Sequence, residues 1–265
     1  MDNRPIGIFD SGIGGLTVVD KVFRMLPREK IIYFGDTARV PYGNKSKETV
    51  TRFSKEIVEF LLKFDVKLII VACNTASSLS LRTLQRYFSL PIIGVIIPGA
   101  TEAIRMSDNK RIGVIGTEAT VSSDAYRMEI KGRSKKCFVA QKSCPLFVPL
   151  VENKWLNGDI TLNVARKYLS PLIKNRIDTL ILGCTHYPLL RRVIKKITGN
   201  KIALIDSSMA VAQYAAKLLE EKNLLGNNAG GIKKAKFFVS DDTHRFTDLA
   251  KVFLGTDIKA RKMVF

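Results

Sequence analysis

Histidine is scarce in this chain: His186 and His244 are the only two among 265 residues. The four cysteines, Cys73, Cys137, Cys144 and Cys184, form no Cys-x-x-Cys pair. The ligand spacing of a structural zinc site is therefore missing, and no metal is expected. Four thiols are also too sparse for a disulfide scaffold, which implies a reducing, cytoplasmic setting. No apolar run approaches the roughly 20 residues that a membrane helix requires. The opening "MDNRPIGIFDSG" has no apolar core behind a basic start, so no secretory leader is expected either. Acidic residues are few, 24 against 43 Lys and Arg, for a formal net charge of +19. Such a surplus attracts nucleic acid, anionic lipid and small anions without specifying any of them. The basic runs (KGRSKK at 131–136, RRVIKK at 191–196, IKKAK at 232–236, KARK at 259–262) are dispersed, as solvated faces are. A nucleic-acid role is thus a secondary reading.

Apolar residues, by contrast, make up 46% of the chain, and 14 are Phe, enough for a substantial core. The apolar stretches are short: PIGIFD, KIIYFGD, VKLIIVACN, LPIIGVI, RIGVIGT, KCFVAQ, DTLILGC and KIALID. Runs of this length, apolar throughout, read as strands buried on both faces of a parallel sheet. Amphipathic stretches such as KETVTRFSKEIVEFLLKF (47–64) separate several of them. The alternation predicts an α/β fold with helices covering parallel strands.

The strands also come in two matching sets. Ile6 of IGIFDSG corresponds to Ile112 of IGVIGTE, and Ile31 of IIYFGD to Cys137 of CFVAQK. LIIVACNT, ending at Thr75, corresponds to TLILGCTH, ending at His186, and Pro91 to Lys201. The offsets of 106, 106, 111 and 110 residues are nearly constant, as a duplicated β/α unit requires. The prediction is two pseudo-symmetric domains, each a mostly parallel sheet covered by helices. The first comprises residues 1–97 plus 208–265 and the second residues 98–207, with the active site in the cleft between them.

In this repeat Cys73 and Cys184 occupy equivalent places, each at a strand end before a helix, where open α/β sheets bind ligands. Metal binding lacks ligands at the right spacing, a redox pair lacks a resolving thiol placed near either one, and a hydrolytic Cys-His pair leaves Cys73 unexplained. A buried structural role is the ordinary fate of free cysteine, and it suits Cys137 and Cys144. Inverting a stereocentre by proton transfer, however, needs a base on one face and an acid on the other, and two thiols in quasi-equivalent positions meet that need. Asp10 and His186 stand ready to assist them. The loop DSGIGG (10–15) suits a carboxylate at a helix N-terminus. Its alternative as a dinucleotide loop, with Asp36 as the ribose acid, is weakened by Thr17 in place of the last glycine.

IGIFDSGIGGLTV, YFGDTARVPYG, VACNTAS, CPLFVPLVE and LGCTHYPLL, in that order, resemble bacterial glutamate racemase over most of the chain. The resemblance implies a cofactor-independent enzyme that interconverts L- and D-glutamate and supplies D-glutamate for peptidoglycan. It implies Cys73 and Cys184 as the proton carriers, Asp10 assisting the first and His186 the second. Asp10, Ser11, Tyr42, Gly43, Asn74, Thr75, Thr185 and His186 would hold the substrate. Asp36 and Glu152 match carboxylates near the family's site, and Thr117 is added because it falls where the repeat places Ser11. A homodimer is implied as well. Racemisation of aspartate or another amino acid is the alternative within enzymes, and a basic nucleic-acid-associated protein the alternative outside them.

Overall fold

The computed structural model describes residues 1–227 and 230–263. Ten strands form two sheets: β1 Ile6–Asp10, β2 Ile31–Gly35, β3 Leu68–Val71, β4 Ile92–Gly94, β5 Arg111–Gly116, β6 Phe138–Ser143, β7 Thr179–Gly183, β8 Ala203–Asp206, β9 Lys236–Val239 and β10 Ala260–Lys262. The first sheet runs β10-β9-β2-β1-β3-β4 and the second β6-β5-β7-β8, with every pairing parallel. Within the first sheet, β2-β1-β3-β4 repeats the order β6-β5-β7-β8 of the second. The constant sequence offset is therefore a repeat of topology. β9 and β10 extend the first sheet beyond β2, and among the described residues the second sheet has no counterpart to them.

The strands are apolar on both sides because both faces are covered. β1, β2, β3 and β7 are buried throughout. One core lies beneath the helix Leu16–Met25 and continues through the helices Ile96–Met106 and Ser207–Glu221 into the second sheet. A second core lies on the opposite face of the first sheet, where Phe9, Phe34, Phe60 and Phe238 gather under the helix Lys47–Leu62. Each fully buried Leu, Ile or Phe in such a core contributes about 1.5–3 kcal/mol. Among the described residues no helix is long and apolar enough to cross a membrane.

Two features were not legible beforehand. β10 falls in the basic run KARK, read as a solvated face. As an edge strand it leaves Arg261 and Lys262 exposed, charges that discourage further strand pairing. The other is a buried ion pair, Lys67 Nζ to Glu29 Oε2 at 2.7 Å. Lys67 also donates to the Asp2 and Leu224 carbonyls at 2.6 and 2.7 Å, while Glu29 accepts the Gly226 N–H at 2.7 Å. The pair ties the N-terminus and the segment after Ser207–Glu221 to the sheet. Lys67→Met would strand the Glu29 carboxylate in the interior. Urea denaturation should show a loss of about 3 kcal/mol, and an unchanged midpoint would show the pair to be dispensable.

Candidate active site

Asp10 is the last residue of β1, and its side chain is fully buried. One carboxylate oxygen accepts the Gly12 N–H at 3.1 Å, the other the Thr185 hydroxyl at 3.4 Å. Burial pushes its pKa up, opposed by the charge of His186 and the N–H groups of Gly12 and Gly15. The loop from Ser11 to Gly15 has to pass close to the second half of the chain. A methyl group on Gly14 would stand 2.2 Å from Thr185 Oγ1 and 2.6 Å from His186 Nδ1. Thr17 closes the same seam, its hydroxyl lying 2.9 Å from the Gly14 carbonyl and 3.3 Å from that of Thr185.

Cys73 caps the helix Asn74–Tyr87, its sulfur accepting the Ala76 N–H at 3.5 Å and donating toward Ser11 Oγ at 3.6 Å. Burial pushes this thiol up to about 12, and the Asp10 carboxylate adds to the effect, against the pull of Ala76 and Ser11. Negative charge at Cys184 opposes its ionisation too, so the two sulfurs feel each other across the seam. Asp10 therefore acts on Cys73 through its charge. Among the described residues no hydrogen bond joins them. Both thiols are nearly enclosed, 5% exposed for Cys73 and 6% for Cys184.

Cys184 directly follows β7, and its sulfur lies 3.9 Å from His186 Nδ1. After it comes a single 3-10 turn, Tyr187–Leu190, before the helix Arg191–Thr198, so the symmetry with Cys73 is imperfect. The other imidazole nitrogen, Nε2, lies 3.2 Å from Glu152 Oε1. Arg245 approaches the second carboxylate oxygen at 3.5 Å, and the Phe253 ring meets the imidazole edge-on at 5.7 Å. Burial alone would drive the His186 pKa down. Its partners Cys184 and Glu152 outweigh that and raise it to about 10. Glu152 is correspondingly lowered, against burial, by His186 and Arg245.

These shifts set a pH dependence. A histidine raised from 6.5 to about 10 on folding adds stability that is complete below pH 6.5 and lost as pH rises toward 10. Glu152→Gln weakens the hold on the proton. Its melting temperature should fall furthest below wild type near pH 6 and converge with it toward pH 10. A constant gap across that range would disconnect Glu152 from the charge of His186.

The remaining residues form a lattice between the two sheets. Tyr42 is buried and donates to Asp36 Oδ2, which also accepts Arg39 Nε at 2.7 Å. Ser240 Oγ donates to Asp36 Oδ1 at 2.8 Å and accepts the Ala38 N–H at 2.8 Å. Asp36 thus has both oxygens engaged within the protein, one of them by Tyr42, the residue before Gly43. A methyl on Gly43 would stand 2.8 Å from Thr117 Cβ. Thr117 Oγ1 meets Thr75 Oγ1 at 2.9 Å and caps the next helix by accepting the Thr120 N–H at 3.2 Å. Thr117 therefore adjoins Gly43 and Thr75. Asn74, 2% exposed, accepts a hydrogen bond from Tyr126 Oη at 2.7 Å, and its amide nitrogen has no partner. A cavity of about 420 Å³ borders the lattice, lined by Gly43, Thr117, Cys144, Val148, Glu152 and Tyr187 among others. Ser240, Arg245 and Tyr126 went unnoticed in the sequence because no local motif marks them.

The chain matches the family model "Asp/Glu/Hydantoin racemase" over residues 6–215. The chain belongs to this family. Among family members, glutamate racemase from Geobacter metallireducens is 48% identical over 258 residues, covering 95% of this chain and 93% of its own length. The crystal structure of a Bacillus anthracis glutamate racemase isoform superposes with a TM-score of 0.96 at 40% identity, covering 99% of this chain and 98% of that one. The Francisella tularensis glutamate racemase, crystallised with D-glutamate, has a TM-score of 0.90 at 39% identity, covering 100% and 98% of the two chains. This likeness extends across both sheets and the seam between them.

Proposed function

We propose that the chain interconverts L- and D-glutamate by moving the α-proton between Cys73 and Cys184. The observation that carries this reading is the pair of thiols on opposite sides of one seam, each followed by a helical turn and each attended by its own charged partner. Cys73 takes the proton from D-glutamate and Cys184 from L-glutamate, and the other thiol returns a proton to the opposite face. Asp10 and His186 tune the two sulfurs. Ser11, Tyr42, Gly43, Asn74, Thr75 and Thr185 hold the ammonium and carboxylates, with Thr117 and Glu152 at the margin and Asp36 supporting Tyr42. The α-proton of an amino acid is far less acidic than a thiol. The fixed N–H groups and enclosure of the seam therefore have to stabilise the developing carbanion.

The reading extends to a division into domains of residues 1–97 plus 208–265 and 98–207, a cytoplasmic homodimer, and a supply of D-glutamate for peptidoglycan. The supporting relatives are named glutamate racemases and span nearly the whole chain. The test is α-hydrogen exchange in D2O, followed by NMR with each glutamate enantiomer and no added cofactor. Racemisation with solvent deuterium at the α-carbon is the expected result. A folded protein that exchanges aspartate but not glutamate would shift the assignment to the other acidic amino acid.

A further inference from the structure

The two ends of the Asn74 side-chain amide are treated differently. Its oxygen accepts a 2.7 Å hydrogen bond from Tyr126 Oη, while its nitrogen, buried, is without a partner. A buried N–H donor left unpaired is costly, and in native sites it marks a place where a ligand completes the bonding. The residue lies immediately after Cys73, at the start of the helix that Cys73 caps.

Tyr126 comes from the other half of the molecule, in the helix Ala125–Arg133 that follows β5, and is fully buried. Its ring has little freedom. A methyl group on Gly183 would stand 3.1 Å from Tyr126 Cε2, and one on Gly99 would stand 3.3 Å from both Cε1 and the hydroxyl. Gly183 directly precedes Cys184. One rigid aromatic side chain therefore packs beside the residue before Cys184 and hydrogen-bonds the residue after Cys73.

We infer that Tyr126 is a positioning residue: its hydroxyl claims the Asn74 oxygen and so commits the Asn74 nitrogen to donate to a substrate carboxylate. Without that bond the amide is free to turn over, and its oxygen would then face a carboxylate and repel it. The inference rests on the amino-acid reading of the site. Exchange by wild type in D2O tests that reading separately.

Tyr126→Phe keeps the ring and its packing on Gly99 and Gly183 but removes the donor. It should lower kcat/KM about tenfold for both enantiomers, mostly through KM, because a carboxylate contact exists before and during proton transfer. Combined with Asn74→Ala, it should cost no more than Asn74→Ala alone. A purely structural Tyr126 would instead lower the melting temperature and the amount of active enzyme at constant KM. If Tyr126→Phe does not fold, Asn74→Asp gives a second reading. The aspartate still accepts from Tyr126 but turns a negative oxygen toward the carboxylate, and should raise KM further than Asn74→Ala does. Wild-type KM in Tyr126→Phe, multiplicative losses in the double variant, or an Asn74→Asp enzyme no worse than Asn74→Ala would each overturn the assignment.

Discussion

Replacing either Cys73 or Cys184 with alanine should reduce racemisation by about 10³-fold or more in both directions, since each positioned proton donor or acceptor contributes about 10²–10⁴-fold. The loss has to be symmetric in direction because a turnover needs one thiol to remove a proton and the other to return one. The variants should differ in what survives. With Cys73 gone, Cys184 and His186 can still exchange the α-hydrogen of L-glutamate without inverting it. With Cys184 gone, Cys73 can do the same for D-glutamate. Both side chains are small and lie at strand ends, so melting temperatures should shift by only a few degrees. NMR in D2O separates these outcomes, since deuterium at the α-carbon and inversion are read from the same sample. Undiminished racemisation by either variant would remove that thiol from the reaction.

The electrostatics make the two half-sites unlike in spite of the duplicated fold. Cys73 sits in a carboxylate's field and is held up near 12, as a neutral thiol. Cys184 sits beside an imidazole that Glu152 helps to keep protonated. Under the proposed reaction an arriving α-ammonium group brings positive charge to the seam, which the Asp10 carboxylate would offset. The proton then passes between two sulfurs whose surroundings differ in charge.

The strand ends, the duplication and the two thiols were legible because each is written locally. A short apolar run followed by Cys and a polar residue announces a strand end, and the near-constant offset pairs one run with another. Contacts that close over long stretches of chain leave no such mark. Asp36 is marked in the sequence by its match to a family carboxylate. Its carboxylate is held by Ser240, 204 residues away, and by Tyr42, contacts that no local pattern announces. Glu152 follows VPLV and is marked only by its match to a family carboxylate, and nothing local tells that its partner is His186, 34 residues on. No local motif marks Tyr126 or Lys67, and only packing reveals what their polar atoms meet. The edge strand β10 escaped because its charges face solvent, where they resemble those of a loose tail.

Gly14→Ala should be as damaging as loss of a thiol, with racemisation falling by about 10³-fold, although alanine adds one methyl group and no charge. The reason is space, because the left-handed conformations that favour glycine are not involved here. The new Cβ would lie 2.2 Å from Thr185 Oγ1 and within 2.7 Å of two atoms of the His186 ring. Neither side chain can yield cheaply. Thr185 donates to Asp10, and His186 is fixed between Cys184 and Glu152. Relief requires the seam to open by about 1 Å, a misplacement that by itself costs on the order of 10²-fold in rate. It also loosens both polar partners of the thiols. Gly12 supplies the control, since a methyl there meets nothing closer than Val40 Cγ2 at 3.5 Å. Gly12→Ala should retain most of its activity. Kinetics of the two variants, compared at matched melting temperature, distinguish a crowded seam from general sensitivity of the glycine loop. If Gly14→Ala proved as active as Gly12→Ala, the close apposition of the loop and His186 would not be a feature of the working enzyme.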